Sequence, residues 1–559
     1  MVDCSNSSRS LFLTIVLCFS SLAVSAAPRL GTSPPVVISA GGYRIAGTVV
    51  SKADGRPLAR ARITVRDAKD PQKFEFIITS ENGKFEFNAV PAGKYSLAGA
   101  KRGFISAGYD QHDQFSTAIV TGAGLDTETL VLRLAPDAVI SGKVLDESNE
   151  PVRQATVTLY YDDHSSGVDQ IRQFRSAQTN DLGEYELTPL RPGTYFLSAS
   201  GKPWYAIHPR SDTAQSEAQH QPEALIFVDR ALDVAYPVTY YPDVTEADDA
   251  MPIPIRGGER VEADIHFNPV PSLRILFHVP DPGNHSFFFP QIQQPAFDGF
   301  AAVGAGVARG ISSGLVEVTG IPAGHYNVHL YGPGQGMQMS GVDFTKDGDE
   351  IDVTKAEAAS SLKFSVQITE GEPAERLSVS LRSGTRTVGA SQFDSKGEAE
   401  LQQVAAGKYE VLVWGPGKRY SVAHMAVDGA QISGHTLSVA AGSSPSVSLA
   451  VVTGNAEIQG TVTRAGKGVA GAMVVLVPKN PEADRDLFRR DQSDLDGTFL
   501  LQNVIPGSYT LLAIENGWDL EWSQPGVIAS YLKHGRRIEV GNQGSGAINV
   551  AEAIEVQSR

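Results

Sequence analysis

The chain has 559 residues, 42% of them hydrophobic and 20% charged, enough for several domains and too apolar for a disordered polymer. It carries 47 basic against 63 acidic residues, a formal net charge of −16, and no basic block. That balance argues against a nucleic-acid partner.

Residues 1–27 have the form of a secretory signal peptide; the competing reading is a buried N-terminal strand. Leu11 to Ala23 is an apolar run too short to span a bilayer, and Val24, Ser25 and Ala26 offer a small-residue cleavage site. Both cysteines, Cys4 and Cys18, fall here, so the mature chain is expected to be cysteine-free. Leu17 precedes Cys18 where a lipoprotein signal needs a small residue. No later stretch is long and apolar enough for a membrane helix. The expected location is therefore exported: periplasmic, cell-surface or secreted. Residues 28–42, rich in Pro, Gly and Ser, read as a linker.

From there the chain repeats itself. A β-sandwich is expected over 43–136. It opens with a strand at Ile45, Gly47 and Val49, turns at Asp54-Gly55, and continues with Ala61, Ile63 and Val65 sharing one face. Asn82-Gly83 marks a hairpin, Phe85 and Phe87 point one way, a second turn ends at Gly93, and Tyr95 and Leu97 follow. Val131 to Leu134 closes the unit. A second sandwich, 137–270, follows the same order but holds an irregular insertion at 203–236. A third, 271–357, is divergent. A fourth, 358–453, is compact, and a fifth occupies 454–559.

One frame recurs in all five: a glycine, a second glycine ten residues on, and a tyrosine two further. The sets are Gly83/Gly93/Tyr95, Gly183/Gly193/Tyr195, Gly314/Gly324/Tyr326, Gly397/Gly407/Tyr409 and Gly497/Gly507/Tyr509. Such a period predicts one supersecondary plan used five times. Short strands with Gly/Pro turns, and no sustained 3.6-residue periodicity, predict an all-β tandem array of Greek-key sandwiches. The tyrosines are expected to pack their rings and tie a corner with their hydroxyls.

The order I-x-G-x-V, G-x-P-L or E-P-V, D-x-x-G-x-F/Y and P-G-x-Y resembles the carboxypeptidase regulatory-like domain. That resemblance implies a transthyretin-like, seven-stranded prealbumin sandwich related to carbohydrate-binding-like folds and to adhesin B-type repeats. It implies no peptidase activity, since in carboxypeptidases the module is an accessory to a separate zinc domain. The first, second and fifth units match well, the fourth from Gly371 onward, and the third only in its second half.

Candidate chemistry is sparse. His220 and Glu223 have the H-x-x-E form of a zinc ligand pair but lie in the irregular insertion. His325 and His329 lie on one strand about 13 Å apart, too far to share an ion. Asp494 and Asp496 resemble a fragment of a calcium loop, yet Asx side chains holding a hairpin turn explain them better. Gly304 and Gly306 are followed by no Rossmann pattern. There is no nucleophile elbow, phosphate loop or cysteine nucleophile, and no Lys/Asn pairing across first and last strands of the kind an isopeptide bond requires. The expectation is no enzyme, no cofactor and no metal.

Aromatics are the better binding candidates. Trp204, Tyr205, Tyr240 and Tyr241 flank the insertion, Trp414 and Tyr420 follow the tyrosine strand of the fourth unit, and Trp518 and Trp522 that of the fifth. Exposed rings could stack on sugars; packing at the sandwich ends is the alternative. The sequence thus points to a non-catalytic exported scaffold or adhesive protein, expected to be elongated, with polysaccharide binding through exposed aromatics as the second reading. Partners would be polysaccharide or cell-envelope proteins.

Overall fold

The computed structural model describes residues 41–559 except 123, 209–228, 280–288, 304–307, 313, 332–336, 354–356, 369–372, 385, 434 and 542–546. The signal-peptide and cysteine expectations, His220, Glu223, the Gly304-Ala-Gly306 loop and Gly371 lie outside the described residues.

In the first unit β1 (Tyr43–Ser51) is central to one sheet, β4 (Lys84–Val90) on one side and β8 (Leu130–Leu134) on the other. The β1–β4 pair is antiparallel and β1–β8 parallel, so the last strand returns beside the first across the whole unit. The second sheet runs β3 (Phe74–Ile78), β2 (Arg62–Asp67), β5 (Gly93–Ala100), with β6 (Ala107–Gly108) and β7 (Ile119–Thr121) on the far edge of β5. Inward-facing Ile45, Val49, Phe85, Phe87, Leu130 and Leu132 meet Ile63, Val65, Tyr95 and Leu97 to form the core. The alternation of buried and exposed positions is the cause: every second side chain reaches the facing sheet.

The same parallel closure joins Ala138–Leu145 to Arg260–Glu262, Val270–His278 to Asp349–Asp352, Ser360–Ile368 to Ser446–Gly454, and Ala456–Arg464 to Ala547–Asn549. Each has a core of its own, built from residues contiguous in the chain. The protein is therefore an all-β tandem array of sandwiches. In the fourth unit Arg419–Asp428 pairs both Gly407–Trp414 and Ser446–Gly454, so its two sheets run into one. In the divergent third unit the strand missing from the sequence pattern is Phe289–Ala296, which pairs Gly324–Tyr331. One short helix, Pro525–Leu532, is unanticipated; eight residues are too few to register as a period.

The repeated frame has a physical explanation. The first glycine of each set has positive φ, from +70° at Gly83 and Gly183 to +82° at Gly497. Its carbonyl accepts the N–H of a valine near the end of the opening strand: Val49, Val144, Val279, Val366 and Val462. A Cβ at Gly497 would lie 2.5 Å from the Val462 carbonyl oxygen. The second glycine leaves room for the tyrosine ring; a Cβ at Gly324 would lie 2.9 Å from Tyr326 Oη, and one at Gly407 would lie 3.1 Å from Tyr409 Oη. Gly93, Gly193 and Gly507 hold the same position at the start of their strands.

All five tyrosine rings are buried, and each hydroxyl donates to the carbonyl four residues back. Tyr95 reaches Pro91 at 3.1 Å, Tyr195 reaches Arg191 at 2.8 Å and Tyr326 reaches Pro322 at 2.7 Å. Tyr409 reaches Ala405 at 2.9 Å and Tyr509 reaches Ile505 at 2.7 Å. Burial pushes the Tyr195 and Tyr509 phenols up to about 12, so both stay protonated donors. Tyr509→Phe is expected to cost about 1 kcal/mol by leaving the Ile505 carbonyl without this donor. Gly497→Ala, which adds strain at positive φ and a backbone clash, should cost more, about 2–4 kcal/mol. Calorimetry of the full chain should show one transition lowered in each variant, further in the glycine variant.

Candidate functional site

The aromatic candidates fall into two groups. Trp204 is 84% exposed, its ring edge-on to Tyr205 at 5.9 Å, and the Tyr205 hydroxyl donates to Glu147. Trp414 is 55% exposed at the end of its strand. Trp518 and Trp522 are buried, at 7% and 8%, which corrects their reading as exposed sugar platforms. Tyr240 is also buried, edge-on to Phe297 at 5.6 Å. Phe297, at the tip of a third-unit hairpin, enters a second-unit pocket between Tyr160 at 4.9 Å and Phe196 at 5.0 Å. Tyr420 is buried in the fourth core, and Tyr241 packs partly against the second.

Trp518 is covered by the first unit, some 400 positions earlier, and Trp522 by Gly167 of the second. The strand Gly507–Glu515 leads into a 3-10 turn, Gly517–Asp519, and then the helix, whose Ile528 packs beneath both tryptophans. His112 stacks on Trp518 at 5.0 Å and 5° between planes, and Phe115 lies 5.8 Å from the same ring. The Trp518 indole N–H donates to the Gly471 carbonyl at 3.1 Å.

Arg490 sits at the centre of the contact, its side chain 6% exposed. Its guanidinium lies 4.2 Å from the centroid of Trp522, 5.3 Å from that of Phe115 and 5.8 Å from that of Trp518. Nη2 donates to Asp113 Oδ2 of the first unit and to the Ser165 carbonyl of the second, both at 3.1 Å. A planar, weakly hydrated cation suits such an aromatic enclosure better than an ammonium would. Gly167, at φ +78°, lets the second unit approach; a Cβ there would lie 2.5 Å from the Trp522 ring. Its carbonyl accepts the Ser523 N–H at 3.2 Å.

A polar seam extends the contact. Gln492 donates from Nε2 to the Asp110 carbonyl at 2.6 Å and to Thr117 Oγ1 at 2.8 Å, and its Oε1 lies 3.2 Å from His112 Nδ1. The Leu495 N–H donates to the Ala118 carbonyl at 3.0 Å, and Asp494 Oδ1 accepts the Ala118 N–H at 3.0 Å. Lys94 Nζ lies 2.6 Å from both Asp494 Oδ2 and Thr498 Oγ1.

Asp494 therefore does something its counterparts do not. Asn180 Oδ1 accepts the N–H groups of Leu182 and Glu184, and Asp394 Oδ1 those of Lys396 and Glu398, each within its own turn. The Glu398 N–H holds the Asp394 carboxyl below its ordinary value, whereas burial pushes Asp494 up, with Lys94 opposing. Asp496 accepts from Thr498 N–H at 3.0 Å. Among the described residues no group of three or more His, Cys, Asp or Glu is placed to hold a metal ion. His325 is exposed beside Asp343 at 2.7 Å, and His329 is half-buried on the same strand.

The first and last units are thus not independent beads, which corrects the expectation of a simple elongated string. Sequence reasoning missed the junction because His112, Asp113, Phe115 and Arg490 are individually ordinary. The one available signal was the paired tryptophans of the fifth unit, found in no other.

Residues 44–128 and 139–210 each match the carboxypeptidase regulatory-like domain family, so the chain carries this domain twice in tandem. No curated protein matches the chain. Similar solved structures include the TIE protein of Bacillus anthracis, 9% identical, covering 92% of this chain and 73% of that one, with a TM-score of 0.17. A streptococcal ancillary pilin is 12% identical over 56% of this chain and 98% of its own, with a TM-score of 0.19. Two B repeats of the Staphylococcus aureus collagen-binding protein are 11% identical over 74% and 99%, with a TM-score of 0.12.

Arg490→Ala should open the junction, because it leaves Asp113 unpaired and a hole among three rings, a loss of about 3 kcal/mol. Small-angle scattering should then show a larger radius of gyration with far-UV dichroism unchanged; an unchanged radius would refute the closure. Asp491, whose Oδ2 accepts the Leu500 N–H at 2.7 Å, is pushed up to about 6 by burial. The folded chain therefore binds this proton more tightly than the unfolded one, and stability falls as pH rises from about 4 to about 6. Asp491→Asn should flatten the melting temperature across that window and raise it at pH 7.5.

Proposed function

We propose that this chain is an exported, non-catalytic scaffold of five β-sandwich domains, with boundaries near 136, 270, 357 and 453, that presents loops to other envelope components. The observation that carries this reading is the use made of the chemically capable side chains. Arg490, Asp113, Asp494, Lys94, Gln492 and His112 are spent on holding domains to one another. Residues committed to a structural seam have no vacant valence for a substrate. The carboxypeptidase regulatory-like match supports the same conclusion, and the apolar run at 11–23 supports export. Among the described residues no helix is long and apolar enough to cross a membrane.

Fractionation of cells making the full chain tests this. The expected product lies outside the cytoplasmic membrane, has lost the signal segment at residues 1–27, and is captured with envelope proteins by a short amine-reactive cross-linker. An intact N-terminus in the cytoplasm overturns the reading.

One observation favours a polysaccharide role: Trp204 is 84% exposed beside Tyr205, and Trp414 is 55% exposed. On that reading the purified chain is retained on insoluble polysaccharide, and Trp204→Ala weakens retention about tenfold, the worth of one stacked ring. Equal retention removes Trp204 from the case. Trp518 and Trp522 belong to the junction and are no part of this surface.

A further inference from the structure

The first and second units meet at a cleft of about 500 Å³, lined by Lys52, Arg133 and Tyr109 on one side, Arg191 and Pro192 on the other, and the 105–113 segment. We propose that this cleft is a binding site for a small ligand bearing oxyanion groups, carboxylate or phosphate. The proposal is independent of the scaffold reading and of the exposed tryptophans.

Three observations carry it. The first is charge. Lys52, Arg133 and Arg191 come from separate parts of the chain, and none has a carboxylate within ion-pair distance among the described residues. In a chain of net charge −16, three unpaired cations around one cavity are unexpected on composition alone. Of the two carboxylates of the lining, Asp113 pairs with Arg490, and Asp110 Oδ2 is turned toward Gly471 of the fifth unit.

The second is rigidity. Only Ala135, Pro136 and Asp137 separate the two units, and they are knitted in. The Ile105 N–H donates to the Ala135 carbonyl at 2.8 Å, the Asp137 N–H donates to the Gly103 carbonyl at 3.1 Å, and Phe104 bridges to Pro136. Gln111 braces the floor, accepting the Gly108 N–H at 2.7 Å and donating to the Asp113 carbonyl at 2.8 Å. The fifth unit clamps that same segment from behind through Gln492, Arg490 and Trp518. The walls are thus pre-formed, which lowers the ordering cost of binding.

The third is size and lining. The volume falls in the range of small-molecule clefts, which gather at domain interfaces. Tyr109 supplies an aromatic face, and Arg133 and Arg191 supply forked donors that match carboxylate or phosphate oxygens two at a time.

Titration calorimetry of the full chain at low salt, with trigalacturonate, inorganic phosphate and neutral maltotriose as probes, tests this. Saturable binding of at least one anionic probe with a Kd on the order of 1 mM or below is expected, with maltotriose inert. Binding should weaken at least about tenfold in Arg133→Ala/Arg191→Ala and fall with added salt, while Arg153→Ala, a distant exposed arginine, leaves it unchanged. All three cations are exposed, so the double variant should melt with the parent, and the loss then reports the site and not the fold. Phosphate binding assigns the cleft to free oxyanions; trigalacturonate alone assigns it to acidic saccharides. No binding of either anion, or equal binding by the double variant, overturns the proposal.

Discussion

The molecule depends on one hydrogen bond made five times: a buried phenol donating to the carbonyl four residues behind it, at the point where the chain crosses from one sheet to the other. A crossing segment cannot pair with either sheet, so its backbone needs another partner. The tyrosine provides that partner while its ring fills the gap between the layers. The glycine twelve residues before the tyrosine fixes the other end of the strand through its carbonyl and the opening valine. With both ends tied, the loops between can vary freely, as the second and third units demonstrate.

That freedom is how one plan gives unlike units. Asn180 and Asp394 close their own turns, while Asp494, at the same place, reaches out to Lys94 and the Ala118 N–H. The fifth unit also adds a second apolar layer, in which Met473, Val475, Leu512 and Ile514 on the outer face of its sheet carry the two tryptophans and the helix. A strand buried on both faces no longer alternates, and Met473–Pro478 is buried throughout. That continuous apolar run is the trace, in one dimension, of a sheet covered on both sides.

The repeat, the strand alternation and the presence of a closing strand were legible because each depends on residues close in sequence or on a period; its parallel pairing with the first strand, distant in sequence, was not. The third unit was legible only where its frame survives. A second repeated device was not. The residue four before the second glycine sits at positive φ at Ala89, Gly320, Gln403 and Asn503, where a bulge lets the strand end shift register. Four different residue types do that work, so no letter marks it. Trp518 and Trp522 were visible as unusual, but whether a ring meets sugar or protein depends on a partner 400 residues away. Phe297 was invisible for the same reason, since its pocket of Tyr160, Phe196 and Tyr240 belongs to another unit.

Gly167 and Trp522 meet face to face although synthesis separates them by most of the chain. Until the fifth unit is in place, the segment around His112 and Phe115 lacks its cover. The final hundred residues thus cover the opening ones, so the earliest part of the molecule is the last to be sheltered.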